Sequence, residues 1–148
     1  MTKDDIQLLY EYDRWANNRA WHAASTLNAE EFTRDLGGSF RSVRDTLVHI
    51  VGSQWAWLTY WKEPSPSSAF VEDVWTRHDA LFNPNAFPDL AAVRLKWAEV
   101  ERELVDFVNR VTTNPWAGCF LFAQLKSLWR TSCNIWRTIP LTIGVKPR

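Results

Sequence analysis

The spacing of apolar residues along the chain predicts a protein built from long α-helices. The clearest pattern covers residues 90–111, where apolar residues recur at steps of three and four and most of the positions between them are charged. The apolar stripe consists of Leu90, Val93, Trp97, Val100, Leu104, Phe107 and Val111. We expect this helix to bury one face in the core of a helical bundle.

An earlier helix is predicted to begin between Thr2 and Asp5 and to run to Leu27, with a short helical turn capped by Asn28 after it. Its predicted buried stripe is Ile6, Leu9, Tyr10, Ala16, Ala20, Ala24 and Leu27, widened by Leu8, Tyr12 and Trp15. The ten tryptophans of the chain are expected to fill the core.

A second long helix is predicted to open around residues 39–42 and to end near Glu63, with Asp45 three residues after Ser42 as in a capping box. The breaker PSPSS follows, and residues 70–88 read as a long connection that crosses the length of the molecule. A fourth helix is predicted from Leu121 to Ile139, before Pro140. We therefore predict one all-α domain over residues 1–148, an up-down four-helix bundle with one long crossover connection.

Charge is balanced in total but divided sharply along the chain. The first 112 residues hold twelve bases and all seventeen acids, a net charge of −5, whereas the last 36 hold five bases and no acid. The zero sum argues against a general nucleic-acid or anionic-membrane binder, which would need a basic excess. The fourth helix and the tail, residues 113–148, are thus chemically unlike the rest.

Other function classes are excluded by simple features of the chain. Apolar runs never approach the ~20 residues of a membrane span, and the acidic N-terminus does not resemble a signal peptide. Cys119 and Cys133 form no metal-binding pair motif, have no evident activating partner and are expected to be inert thiols. We expect a cytoplasmic protein. No nucleophile elbow, phosphate loop or dinucleotide fingerprint is present, and no catalytic residue can be assigned.

His49 is the most informative of the three histidines. On a helix it shares a strip with Asp45, Gly52, Ser53, Ala56 and Tyr60. An imidazole among small and polar residues inside a bundle can face a cavity, where bundles place metal and ligand sites. The alternative is a hydrogen-bonded core histidine. His22 and His78 are read as packing or solvated residues.

A family resemblance rests on two patterns. Tyr10 followed by Trp15-Ala16-Asn17-Asn18, and Leu47-Val48-His49-Ile50 followed by Trp55, resemble the DinB/YfiT-like superfamily, as does the closing Gly144-Val145-Lys146-Pro147. That resemblance implies a four-helix bundle, commonly a homodimer. It further implies a metal-dependent enzyme of the thiol-transferase, isomerase or hydrolase type that acts on a small molecule.

The resemblance implies a divalent ion such as zinc, nickel or iron, held by three histidines. One occupies the position of His49, and two come from the fourth helix in a pattern close to HxxxHRGQ. Imidazoles four residues apart share a helix face, and a three-ligand site leaves positions open to activate a water or a thiol. Here the fourth helix contains no histidine, so only His49 carries over.

A frame change is one explanation for this departure. One choice of synonymous codons for residues 134–146 encodes HMANHSTYHRGQ in a shifted frame, which contains the missing pattern. We hypothesise that translation leaves the ancestral frame near Thr113, where acids also disappear. The alternatives are divergence of the helix or a fluctuation of composition.

Two functional readings remain open at this stage. In the first, the protein is a DinB-like metal-dependent enzyme with an incomplete site, in which His49 is a ligand and Asp45 a group behind it. In the second, it is a metal-free bundle that acts as a binding or self-associating scaffold. If a metal is bound, the replacement ligands to consider are Cys133, Asp45 and His22.

Overall fold

The fold is all-α over the part of the chain that the computed structural model describes, residues 3–110. Its helices are α1 (Lys3–Ala24), α2 (Ala29–Thr33), α3 (Val43–Lys62), α4 (Ser68–Leu81) and α5 (Leu90–Arg110), with a 3-10 turn at Pro84–Ala86 before α5. This arrangement confirms the helical-bundle prediction. The fourth bundle helix expected at Leu121–Ile139 lies outside the described residues.

Local capping explains where the helices begin. Ser42 Oγ accepts a hydrogen bond from the Asp45 amide at the start of α3, and Asn28 and Glu31 form a reciprocal capping box on α2. Ser67 caps α4 in the same way by accepting from the Phe70 amide. The polar residues at these three positions satisfy amide groups that a helix cannot satisfy internally.

The core lies where α3 packs against α5, and α1 contributes residues to the same cluster. Leu47, Val48 and Val51 of α3 are almost completely buried, as is Val93 of α5. The rings of Trp21 and Trp97 join α1 to α5 with centroids 5.2 Å apart. A smaller cluster of Ile6, Tyr10, Leu58, Leu104 and Val108 continues the apolar interior toward the other end of the bundle.

Two sequence predictions about the core are wrong in detail. Leu8, Tyr12 and Trp15 were expected to widen the buried stripe of α1, but they are exposed on the face opposite Ile6 and Tyr10. On α5, Val108 takes the buried position expected for Phe107, which is only partly buried. The tryptophans do not all lie in the core, because Trp15 and Trp75 are about half exposed.

The connection between α3 and α5 is more ordered than its prolines and polar residues suggested. It contains the fourteen-residue helix α4, which packs along α3. No helix within residues 3–110 is long and apolar enough to cross a membrane.

Candidate functional site

His49 lies partly buried in the first half of α3. Its ring stacks on Phe40 with centroids 4.2 Å apart, and its Nε2 lies 3.3 Å from Ser53 Oγ. Burial is the main cause that lowers the pKa of His49, and the nearby imidazole of His78 lowers that pKa further. The ring is therefore neutral at physiological pH, which is the form of histidine that binds metals.

His78 reaches the same face of α3 from α4. Its side chain is only 16% exposed, and its Nδ1 lies 3.1 Å from Asp79 Oδ1. A Cβ atom added at Gly52 would lie 2.7 Å from His78 Nε2, closer than such atoms ever come. Gly52 is thus the residue that lets this imidazole approach the α3 backbone.

The strip of small and polar residues predicted on α3 is the surface on which α4 packs. A Cβ at Gly52 would also lie 3.0 Å from Phe82 Cγ, just after α4. Farther along, the Tyr60 ring meets Phe70 and Trp75 of α4 at centroid distances of 6.1 and 6.4 Å. The strip from Gly52 to Tyr60 is thus lined by rings of α4 and of Phe82. The expectation that His49 itself faces a cavity stays a prediction.

His78 is the site residue that sequence reasoning missed. The sequence predicts a solvated histidine here, because residues 70–88 are predicted to form a connection. A signal was available, since Ser67 is a helix cap and Phe70, Val74 and His78 recur every four residues. Val74 is fully buried between its two neighbours on this stripe, which indicates that the stripe faces the core.

The other proposed ligands do not join His49. Asp45 Oδ1 is paired with Arg44 Nε at 3.1 Å, and the Asp45 backbone amide donates to the Ser42 cap, so this carboxylate holds a guanidinium of its own helix rather than His49. His22 is exposed near the C-terminal end of α1. Cys133 lies outside the described residues.

Within residues 3–110 no three histidine, cysteine, aspartate or glutamate side chains are grouped so that they could hold a metal ion. Catalytic zinc sites typically use three protein ligands and an open position. The described residues alone therefore do not fit the three-histidine set that the family resemblance implies. They bring together one pair of imidazoles, His49 and His78.

A second polar group is buried where α1, α3 and α5 meet. Asp13 Oδ2 accepts hydrogen bonds from Asn17 Nδ2 at 3.0 Å and Gln54 Nε2 at 2.9 Å. The other amide atom of this glutamine, Gln54 Oε1, accepts from Trp97 Nε1 at 3.1 Å. Burial raises the pKa of Asp13 to about 6 despite these hydrogen bonds, which act in the opposite direction.

Tyr10 and Glu101 adjoin this network. Burial first, and the Glu101 carboxylate second, raise the pKa of the Tyr10 phenol, whose hydroxyl is buried and has no hydrogen-bond partner among residues 3–110. Arg14 Nε lies 3.0 Å from Glu101 Oε1 at the edge of the cluster. The network joins three helices through polar side chains and is read as structural, because its amide and indole groups mainly satisfy one another.

Comparison with models of protein families shows to which family the chain belongs. The model of the DinB family matches residues 1–115. The chain belongs to the DinB family. Neither the curated proteins nor the solved structures provide a match. The DinB match ends close to Thr113, where the acid-free segment begins, so the family pattern and the charge pattern change at about the same place. The predicted frame change itself concerns residues outside the described range and stays a prediction.

Proposed function

We propose that this DinB-family protein binds a divalent metal ion at the contact between α3 and α4, through His49 and His78. The observation that supports the proposal is the position of His78, whose imidazole packs against Gly52, one helical turn from His49. The Nδ1 atom of His78 lies within hydrogen-bond distance of the Asp79 carboxylate, which can only accept. The other ring nitrogen, Nε2, lies on the α3 side and is the atom that would bind the metal.

Two imidazoles alone bind a metal ion weakly, so we expect both a low metal affinity and a low activity. Transition metals such as zinc and nickel suit imidazole nitrogen, but a catalytic ion generally needs a third protein donor. We therefore infer a metal-dependent transferase or hydrolase lineage, with weak metal binding and low activity in this chain. A small-molecule substrate is part of the same proposal.

The experiment is metal binding to the full chain, produced without a histidine tag. Titration calorimetry with Zn²⁺ and Ni²⁺ is compared for the wild type, His49→Ala, His78→Ala and the matched control His22→Ala, which removes an exposed histidine. We expect the first two substitutions to weaken binding at least tenfold each and the control to change it less than twofold. Equal affinity in all four proteins, or no binding by the wild type, contradicts the proposal.

A non-catalytic scaffold is the second candidate, and a different observation favours it. Leu8 and Trp15 lie exposed on one face of α1. A protein that binds no metal in the titration, yet associates through this face, is a scaffold. A protein that binds metal in a manner dependent on His49 supports the first candidate.

A further inference from the structure

Three oxygen atoms at the contact between α1 and α5 make no hydrogen bond within the described part of the chain. Tyr10 is only 9% exposed, and its hydroxyl has no partner among residues 3–110. The buried Oε1 atom of Glu101 accepts no hydrogen bond there either, although Arg14 Nε lies 3.0 Å away. Asp13 receives both of its hydrogen bonds at Oδ2, so its Oδ1 atom is left over. Buried polar atoms are nearly always paired, and this unpaired group therefore points to a ligand.

The three side chains that carry these oxygen atoms face one another. Tyr10 and Asp13 are three residues apart on α1 and are neighbours on one face of that helix. Burial is the main cause that raises the pKa of each, and the Glu101 carboxylate of α5 raises both pKa values further. The Glu101 charge therefore lies close enough to act on both side chains. Gln54 of α3 holds the Asp13 carboxyl from the other side.

The charges of the group favour a cation. With Asp13 ionised, two carboxylates face the single guanidinium of Arg14, which leaves one negative charge in excess. The residue that α3 offers at this point, Gln54, is uncharged. The Glu101 side chain is 20% exposed and that of Arg14 is 57% exposed, so a small ligand can reach the group from solvent when Arg14 turns outward.

We propose that Tyr10, Asp13 and Glu101 bind a protonated primary amine. Its ammonium group has three N–H donors for the three oxygen atoms, and its charge compensates the excess negative charge. Water brings two donors and no charge, and a quaternary ammonium ion brings a charge and no donor, so neither matches the group. The proposal is independent of the histidine pair and of metal binding.

The small size of the ligand sets the expected affinity. Methylammonium has two non-hydrogen atoms, which limits its dissociation constant to roughly 5 mM or weaker. Because Arg14 competes for Glu101, we expect a constant on the order of 50 mM at pH 7.5. At 500 mM methylammonium the melting temperature should then rise by about 4 °C. At pH 5 the rise should be only about 1 °C, because the pKa of Asp13 is about 6 and its carboxyl is mostly protonated.

The test is thermal unfolding of the full chain in 500 mM methylammonium chloride, with tetramethylammonium chloride as the matched salt. At pH 7.5 the wild type is expected to melt about 4 °C higher in the first salt than in the second. The indole N–H of Trp97 gives a second readout, since it donates to Gln54, which in turn donates to Asp13. Its proton chemical shift should change and saturate with methylammonium and stay constant with tetramethylammonium.

Substitutions in the group separate binding of the amine from folding. Asp13→Asn and Glu101→Gln each remove a charged acceptor and are expected to weaken methylammonium binding about fivefold or more. Tyr10→Phe should weaken binding about threefold without lowering the melting temperature in tetramethylammonium, because the lost hydroxyl has no partner among residues 3–110. Arg14→Gln should strengthen binding about threefold, because it removes the competing cation.

The matched control is Glu103→Gln, which removes an exposed carboxylate of the same helix that is paired with Lys62. This variant is expected to keep the full rise in melting temperature. A wild type that melts at the same temperature in both salts, with no change at the Trp97 indole, overturns the proposal. So does a rise that survives both Asp13→Asn and Glu101→Gln, since methylammonium would then stabilise the fold without using this group.

Discussion

Replacing Asp13 by Asn is expected to stabilise the protein at neutral pH. The carboxyl lies among Asn17, Gln54 and the Tyr10 phenol, and burial raises its pKa from 3.8 to about 6. At a pH above this pKa, the native protein carries a negative charge on Asp13, where little water can reach it. Asparagine keeps an oxygen that can accept from Asn17 and Gln54, and it removes the charge.

The magnitude follows from the pKa difference. A change from 3.8 to about 6 corresponds to about 3 kcal/mol, and partial contact of Asp13 with water reduces this to about 2 kcal/mol. The native state binds the proton more tightly than the unfolded chain, so this contribution to stability is fully present below pH 3.8. It is lost as the pH rises through 6. The gain from Asp13→Asn should therefore be small at pH 4 and full at pH 7.5.

The assay is urea unfolding at pH 4.0, 5.5 and 7.5, followed by tryptophan fluorescence and circular dichroism. The matched control is Asp35→Asn, on an exposed carboxyl whose pKa is lowered by the Gly37 amide and then by Arg41. This control should lose stability at neutral pH, the opposite sign. If Asp13→Asn destabilises the protein equally at all three pH values, the pKa of Asp13 does not differ between the folded and unfolded protein, and the reasoning is refuted.

Three further substitutions test other parts of the structure, and the DNA sequence of the gene tests the frame change. Gly52→Ala should lower the free energy of unfolding in urea by about 1–2 kcal/mol, because displacing His78 and Phe82 outweighs the gain of about 1 kcal/mol in helix propensity. Gln54→Leu should cost about 2–4 kcal/mol in the same assay, since Asp13 and Trp97 Nε1 lose their shared partner. Ser42→Ala should cost about 1 kcal/mol through the lost cap, with an unchanged denaturant slope. The DNA sequence of codons 113–148 should permit the shifted HxxxHRGQ frame, and third bases that forbid it reject the frame change.

The chain by itself determined the features that depend on near neighbours. The caps at Asn28 and Ser42 are local hydrogen bonds over three residues, and α5 is specified by its steps of three and four. The DinB pattern around His49 and the change of charge near Thr113 can be recognised in the sequence for the same reason. Periodicity did not settle which side of α1 faces the core, because Leu8, Tyr12 and Trp15 also recur at helical steps.

Only the tertiary structure decided the chemistry that joins distant segments. Gln54 meets Asp13 and Trp97 across separations of 41 and 43 residues, and burial where these three helices meet raises the pKa of the Asp13 carboxyl. His78 comes near enough to lower the pKa of His49 because α4 packs on Gly52. The physical reason is the same in both cases: a pKa and a donor set depend on burial and on neighbours in space, which helix packing supplies and sequence spacing does not record.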